Sequence, residues 1–212
     1  MRHRPSRSCA PIARDLWPWS AEVVLGPDDP LPARPFRVLV AGSSGSGKTT
    51  LARQVGAVLG LPHVELDALF HGPGWTRRPS FEAEDEAFTA GPGWACEWQY
   101  DDVRPLLAAR ADLLVWLDLR RGTVMRQVVR RTVRRRLRHE ALYNGNHEPP
   151  LRTVLRDPEH LVRWAWRTHG ECAGRVAQAV AARPDLMAVR LTSRRAADRW
   201  LAGPLAACGM AG

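Results

Sequence analysis

Residues 42–49 read Gly-Ser-Ser-Gly-Ser-Gly-Lys-Thr, which fills every fixed position of the pattern G-x-x-x-x-G-K-[ST]. A backbone of this composition curls its N–H groups around an anion, because glycine reaches conformations closed to other residues. Such a loop works only where a strand delivers it and a helix continues from it, so its flanks constrain the whole fold. Residues 36–41, Phe-Arg-Val-Leu-Val-Ala, are a short apolar run of the length of a buried parallel strand. In residues 50–59, Leu51, Val55, Val58 and Leu59 fall at helical spacing. Strand, loop and helix in this order specify a three-layer α/β/α fold with a parallel sheet.

The side chains of the motif carry their own chemistry. Lysine and arginine together number 31, and Lys48 is the only lysine. A chain that otherwise uses arginine keeps the compact ammonium at the place where the β- and γ-phosphates of a nucleotide need it. Gly42, Ser43, Ser44, Gly45, Ser46, Gly47, Lys48, Thr49 and Thr50 are the candidate phosphate contacts, and the Thr49 hydroxyl is a candidate ligand for magnesium. The implied cofactors are ATP and Mg2+.

The chain has 212 residues, 45% of them hydrophobic and 25% charged, which suits one domain. Residues 1–35 form an Arg- and Pro-rich extension that ends in a stiff Pro-Asp-Asp-Pro-Leu-Pro linker at 27–32, although 22–25 could pair at a sheet edge. The domain is expected over 36–201, with a tail at 202–212. Further strands are expected at 63–67, 112–118 and 186–191. The four cysteines are scattered with no C-x-x-C pair, so neither a zinc site nor a disulfide framework is indicated. No apolar run approaches the ~20 residues of a membrane span, and the basic start leads into no hydrophobic signal core; the cytoplasm is the expected location.

Two classes of phosphate-loop protein are excluded by single residues. A switch GTPase reads its base with N-K-x-D, which cannot occur when Lys48 is the only lysine. Motor and transporter ATPases place a glutamate after the aspartate that closes the apolar strand, but Leu119 follows Asp118. What remains is phosphoryl transfer to a small-molecule acceptor, where catalysis is positioning plus charge neutralisation. That chemistry calls for an arginine-rich segment, and residues 120–138 contain nine arginines. Val124, Val128, Val129, Val133 and Leu137 mark an apolar stripe through them, and Arg126, Arg130, Arg134 and Arg138 share one face. A helical lid at about 120–148 is expected, with Arg126 and Arg130 reaching the transferring group; the alternative is a solvated basic face.

The sequence resembles the adenylate-kinase-like phosphate-loop proteins of bacteria, sometimes labelled DNA topology modulation proteins. The resemblance spans roughly residues 36–201 and rests on a series in one order: GSSGSGKTTLA, VELDALFHGPGW, WACEWQYDDVR, LLVWLDL, the arginine-rich segment, YNGNHE and RWAWRTH. It implies a kinase acting on a small molecule such as a nucleoside monophosphate, with Asp67 facing the acceptor or the metal. A helix N-cap is the structural alternative for Asp67. The family shows W-x-x-D-G-N-Y where this chain has Trp94-Ala95-Cys96-Glu97-Trp98-Gln99-Tyr100, so Trp98 replaces a glycine and could fill the acceptor pocket. Tyr100 and Arg104 keep the family residue types and are candidate acceptor contacts, with core packing and a surface ion pair as the alternatives. Trp75 is either a stacking aromatic or a loop plug. Arg194, after the last strand, is a candidate contact to adenine.

The net charge of +9 supports a rival reading, a nucleic-acid-binding protein that uses ATP as a regulator. The two readings differ in what the arginines meet, substrate phosphates or a polyanion backbone.

Overall fold

The computed structural model describes residues 24–138, 142–146 and 161–210. Expectations for residues 1–23, for His147 and Glu148 at the end of the lid, and for the last two residues lie outside them. Six parallel strands form one sheet in the order β1-β6-β5-β2-β4-β3. They are β1 (Val24–Leu25), β2 (Arg37–Gly42), β3 (His63–Val64), β4 (Trp94–Glu97), β5 (Leu113–Leu117) and β6 (Met187–Leu191). All five residues of β5 are buried, as a strand covered on both faces requires.

Alternation along the strands sorts the core into two layers. Val38, Val40, Val115 and Leu191 face α1 (Lys48–Leu59), α8 (Arg194–Trp200) and the C-terminal turn Leu201–Leu205 that leads into α9 (Ala206–Met210). Leu39, Trp94, Cys96, Leu114 and Trp116 face the other way, towards α3 (Phe81–Thr89), α4 (Arg104–Arg110) and α7 (Glu171–Ala182). The result is the three-layer α/β/α architecture.

The structured body reaches past residues 36 and 201 at both ends. Val24 and Leu25 pair with Ala188 and Val189 at the sheet edge, while Leu31, Trp200 and Leu205 are buried. The Arg34 guanidinium donates to the Leu59 carbonyl at 2.8 Å and the Gly209 carbonyl at 3.0 Å, tying linker, α1 and C-terminus together.

Two local expectations change. Only His63–Val64 of residues 63–67 is strand; α2 (Leu66–Phe70) begins two residues later, with Glu65 as its N-cap. The Leu66 N–H is taken by the buried Glu97 carboxylate at 3.3 Å instead of by a neighbouring strand. On α5 (Arg121–Leu137) the buried stripe is Val124, Val128 and Thr132, whereas Val129 and Leu137 are exposed. A strict i, i+4 ladder through a threonine won over the valine-rich line. α6 (Leu161–Thr168) packs Ala165 against Val124 and Val128 in a small third cluster. Trp164 and Trp166 lie about 100° to either side of Ala165, and both are exposed. Among the described residues no helix is long and apolar enough to cross a membrane.

Asp85 on α3 is fully buried and neither carboxylate oxygen has a hydrogen-bond partner. Burial raises its pKa to about 6 against the opposing pull of Arg110. The folded state therefore holds this proton more tightly than the unfolded chain between the ordinary carboxylate value and about pH 6, so its contribution to stability is present at low pH and lost as pH rises through 6. Asp85→Asn should raise the melting temperature at pH 8, by up to ~3 kcal/mol of stability, and change it little at pH 4. Equal effects at both pH values would show that the carboxylate does not titrate in this way.

Candidate nucleotide and acceptor site

β2 ends at Gly42, in register with Leu117 of β5, and delivers the loop to the carboxyl edge of the sheet, where the ligand crevice of an open α/β sheet lies. The Ser46 N–H closes a turn onto the Ser43 carbonyl at 3.1 Å. Gly45 and Gly47 adopt left-handed conformations, with φ of 80° and 101°. Gly45 also needs its bare Cα, since a Cβ there would stand 2.1 Å from Cγ2 of Val128 on α5. α1 starts at Lys48 with no side-chain cap and no acid in its first turn, so its amide end stays electropositive. The Ser46 hydroxyl is buried without a hydrogen-bond partner. Left-handed glycines, an uncapped helix start and an orphaned hydroxyl together fit a phosphate chain.

Lys48 Nζ donates to the Ser43 carbonyl at 3.3 Å. Burial lowers its pKa; Asp67, Cys172 and Glu97 pull the other way, and Arg131 adds to the lowering. Two carboxylates and one α5 guanidinium thus lie within electrostatic reach of the one ammonium. Glu97, at the end of β4, was not singled out from the sequence. It is 1% exposed and has His63 Nε2 at 3.4 Å. Burial opposes its ionisation, but the nearby His63 imidazole, its own backbone, Thr49 and the Leu66 N–H hold its carboxyl below the ordinary value. The available signal was a lone acid closing the apolar run Trp-Ala-Cys, but the adjacent Trp98 drew the comparison instead.

For magnesium, the oxygen-bearing side chains beside the loop are Thr49, near Glu97, and Asp67, near Lys48. No cluster of three or more His, Cys, Asp or Glu suited to a metal exists among the described residues. Few protein ligands suit an ion that keeps waters and leans on substrate phosphates, so these residues fit Mg2+ bound with ATP.

Asp67 lies in the first turn of α2, one residue beyond the first helical position, and is not the N-cap. Its Oδ1 accepts from Gln99 Nε2 at 2.6 Å and from the Tyr100 hydroxyl at 2.5 Å; Oδ2 has no hydrogen bond among the described residues. Tyr100 stacks on Phe70 with centroids 4.0 Å apart, and burial beside Asp67 pushes its phenol pKa far up, so it remains a donor. Its hydroxyl also lies 3.3 Å from His71 Nε2, and burial lowers the His71 pKa against the pull of Asp67. Arg104 starts α4 and pairs with Asp101, with its guanidinium over the Trp98 ring at 5.5 Å. Trp98 itself is core: it is 7% exposed and its indole N–H donates to the Arg104 carbonyl at 3.1 Å. The bulk that replaces glycine is absorbed under the start of α4.

On α5 the predicted arginine face exists, but it points to solvent. Arg126 and Arg130 are exposed, while the turn that packs on Gly45 through Val128 brings Arg131 within electrostatic reach of Lys48 and Arg135 within reach of Tyr143. The sequence pattern missed this because Thr132, not a valine, completes the buried ladder. Arg194 opens α8 and donates to Gln127 Oε1 on α5 at 3.1 Å; Thr50 is exposed on α1. The aspartate closing β5, Asp118, is engaged by Arg190 at 2.8 Å.

The chain has the three-layer α/β/α phosphate-loop fold. No protein-family model matches the chain, and no curated protein matches it. Among solved structures, it is similar to a gluconokinase from Sinorhizobium meliloti 1021, with 17% identity, a TM-score of 0.47 and coverage of 86% of this chain and 97% of that one. A shikimate kinase from Bacteroides thetaiotaomicron has 15% identity and a TM-score of 0.40, over 79% of this chain and 95% of the other. A sugar kinase from Janibacter sp. HTCC2649 has 20% identity and a TM-score of 0.33, over 74% and 99%.

The Gly45–Val128 contact makes a direct prediction. Gly45→Ala should lower the melting temperature and weaken ATP binding at least tenfold. Adding Val128→Ala should return part of the stability, because the clash is removed while the left-handed backbone penalty of ~1–2 kcal/mol remains. Purely additive losses in thermal melts of the four variants would show that α5 does not seat on the loop.

Proposed function

We propose that the protein transfers the γ-phosphoryl group of Mg-ATP to a hydroxyl of a small-molecule acceptor. The observation that carries this reading is the convergence on Lys48: a phosphate cradle on one side and an Asp67 carboxylate with an open oxygen on the other, joined through one ammonium. A nucleoside monophosphate, the acceptor implied by the sequence resemblance, belongs to the reaction class. The free thiols Cys96, Cys172 and Cys208 suit a reducing compartment such as the cytoplasm.

In this reading the amides of residues 43–49 and Lys48 hold the β- and γ-phosphates, and Asp67 Oδ2 accepts the hydroxyl proton. The acceptor oxygen forms its bond to the γ-phosphorus as the bond from that phosphorus to the β,γ-bridging oxygen breaks, and the electron pair leaves on ADP. Magnesium would supply charge neutralisation of the phosphate oxygens, with the Thr49 hydroxyl as the group of this chain that would hold it. Gln99 and Tyr100 fix the Asp67 carboxylate by occupying its other oxygen. Arg131 is the α5 guanidinium assigned to the transferring group, and Arg194 with Gln127 frames the base end.

The exposed face of α5 favours a second reading. Arg126, Arg130 and Arg134 recur there at about 6 Å steps, and the helix contains no acidic residue, a composition that suits a polyanion. Binding of single-stranded DNA that falls steeply between 50 and 200 mM salt, without stimulation of ADP release by any small acceptor, would favour it.

The kinase reading predicts that Lys48→Ala lowers kcat at least a hundredfold, as the loss of a preorganised charge at the phosphates does, with the melting temperature retained. Arg131→Ala should lower kcat tenfold or more, whereas Arg126→Ala and Arg130→Ala should change it less than threefold. ADP release measured against a panel of acceptors checks all four; turnover that survives Lys48→Ala would sink the assignment.

A further inference from the structure

Four of the six large apolar side chains left exposed among the described residues lie on one pair of packed helices: Val129 and Leu137 on α5, Trp164 and Trp166 on α6. Trp166 is 56% exposed, and the Arg121 guanidinium sits over its ring at 4.8 Å. The indole lines one hollow with Met125 of α5, and Val129 follows Met125 by a single turn. An aromatic ring and two aliphatic side chains thus form a band along the outside of the pair, and clustered apolar surface of this kind marks a place of interaction.

A row of charge runs beside this band. Arg126 and Arg130 follow Met125 and Val129 by one residue each, which puts them about 100° further round the helix and about 6 Å apart along it. Both are exposed, and neither has an ion-pair partner among the described residues. α5 and α6 contain no aspartate or glutamate to neutralise them, and like charges four residues apart repel. The row is therefore placed for an external anion. It lies about 160° around α5 from Val128, the residue that presses onto the glycine loop, so an occupant here leaves the nucleotide site open.

Charge and ring together select the occupant. A second copy of this chain would bring two acid-free basic faces against each other. A lipid surface takes up a helix whose main apolar face is open, but that face of α5, Val124, Val128 and Thr132, is already buried in the domain. An acidic peptide satisfies the arginines and makes no use of the indole, and a duplex keeps its base faces stacked inside. A single strand meets both features, with repeated phosphates for the arginine row and unpaired bases for the ring.

We propose that the outer side of α5 and α6 binds single-stranded nucleic acid, with unpaired bases on Trp166 and the Met125–Val129 row and phosphates on Arg121, Arg126 and Arg130. This rests on the polyanion reading above and narrows it to a strand with unpaired bases; it is compatible with phosphoryl transfer on the opposite side of α5.

The test is fluorescence anisotropy of labelled thymidine and uridine homopolymers of about 20 nucleotides, titrated with the full chain between 50 and 200 mM salt. A duplex of equal length, polyglutamate and phosphatidylserine vesicles serve as competitors. At least one homopolymer should bind tenfold or more tightly than the duplex, and a saturating non-hydrolysable ATP analogue should change that affinity less than twofold. Trp166→Ala should weaken single-strand binding at least fivefold and duplex binding less than twofold, with most of the loss restored by Trp166→Phe. Trp164→Ala, on the other flank of α6, should change single-strand binding less than twofold. The double variant Arg126→Ala/Arg130→Ala should weaken it at least tenfold and flatten the slope of log affinity against log salt by about 1.4, the share of two phosphates. Affinity for the ATP analogue should stay within twofold in every variant. Equal binding of strand and duplex, indifference to Trp166→Ala, or displacement of the strand by the ATP analogue would each overturn the proposal while leaving the polyanion reading in place. Equally tight binding of polyglutamate or the vesicles would overturn the proposal in favour of a peptide or lipid partner. Absence of binding by every polyanion at 50 mM salt would remove both the proposal and that reading.

Discussion

An ammonium drawn into protein surroundings at the head of α1 is the constraint around which the site is organised. Taking a charge out of water is unfavourable unless other charges and dipoles compensate, and the lowered pKa of Lys48 records that tension. The compensation comes from the ends of three elements. β2 contributes the Ser43 carbonyl through the loop, β4 contributes Glu97, and α2 contributes Asp67. None of these neighbours is sequential to another, so the parallel register of the sheet is what lets them share one cation. In the register of β2 with β4, Val40 lies beside Glu97, and the Trp98 N–H continues the ladder onto the Val40 carbonyl at 2.9 Å. A shift of one residue in that pairing would turn the Glu97 carboxylate to the opposite layer of the core and leave Lys48 short of a counter-charge.

The same arrangement gives the site a polarity. On the proposed donor side stand the glycine loop, the bare start of α1 and Arg131; on the proposed acceptor side stand Asp67, Glu65 and two tyrosine hydroxyls. Lys48 sits at the boundary. In the proposed transfer Lys48 and Arg131 would stay with the phosphoryl oxygens while the Asp67 carboxylate takes the proton of the acceptor hydroxyl. Glu97 stands one step behind this line: it accepts from the Leu66 N–H, with His63 Nε2 at 3.4 Å, and so ties the start of α2 to the edge of the sheet beside the loop.

The fold and the donor half of the site were legible because they depend on local pattern. An apolar strand, a glycine motif and an amphipathic helix each announce themselves in sequence, and the strands β2, β5 and β6 lie within a residue or so of their expected positions. The acceptor half was less legible because it depends on contacts between stretches 30 to 80 residues apart. Asp67 was visible as a candidate, but its partners Gln99 and Tyr100 come from beyond β4, and Tyr143 meets Glu65 across 78 positions. Glu97 looked like part of a departure from a motif, when the consequential change next to it, Trp98, had gone into the core.

The α5 arginines show how a correct element can carry a misread face. Period and composition gave a helix with a basic face, and both are present; what decided its orientation was one glycine. Because Gly45 has no side chain, Val128 can press onto the loop, and that contact selects which meridian of α5 faces inward. Arg131 lies three residues past Val128 and Arg135 seven, close to one meridian at 100° per residue, whereas Arg126 and Arg130 lie on flanks rotated about 160° or more from Val128 in one sense or the other. The valine pattern placed Val124 and Val128 correctly but then drew the stripe onto Val129, Val133 and Leu137, whereas the next buried residue is Thr132, whose hydroxyl is buried without a hydrogen-bond partner. The glycine loop therefore also orients α5, and a single missing methyl group couples the two.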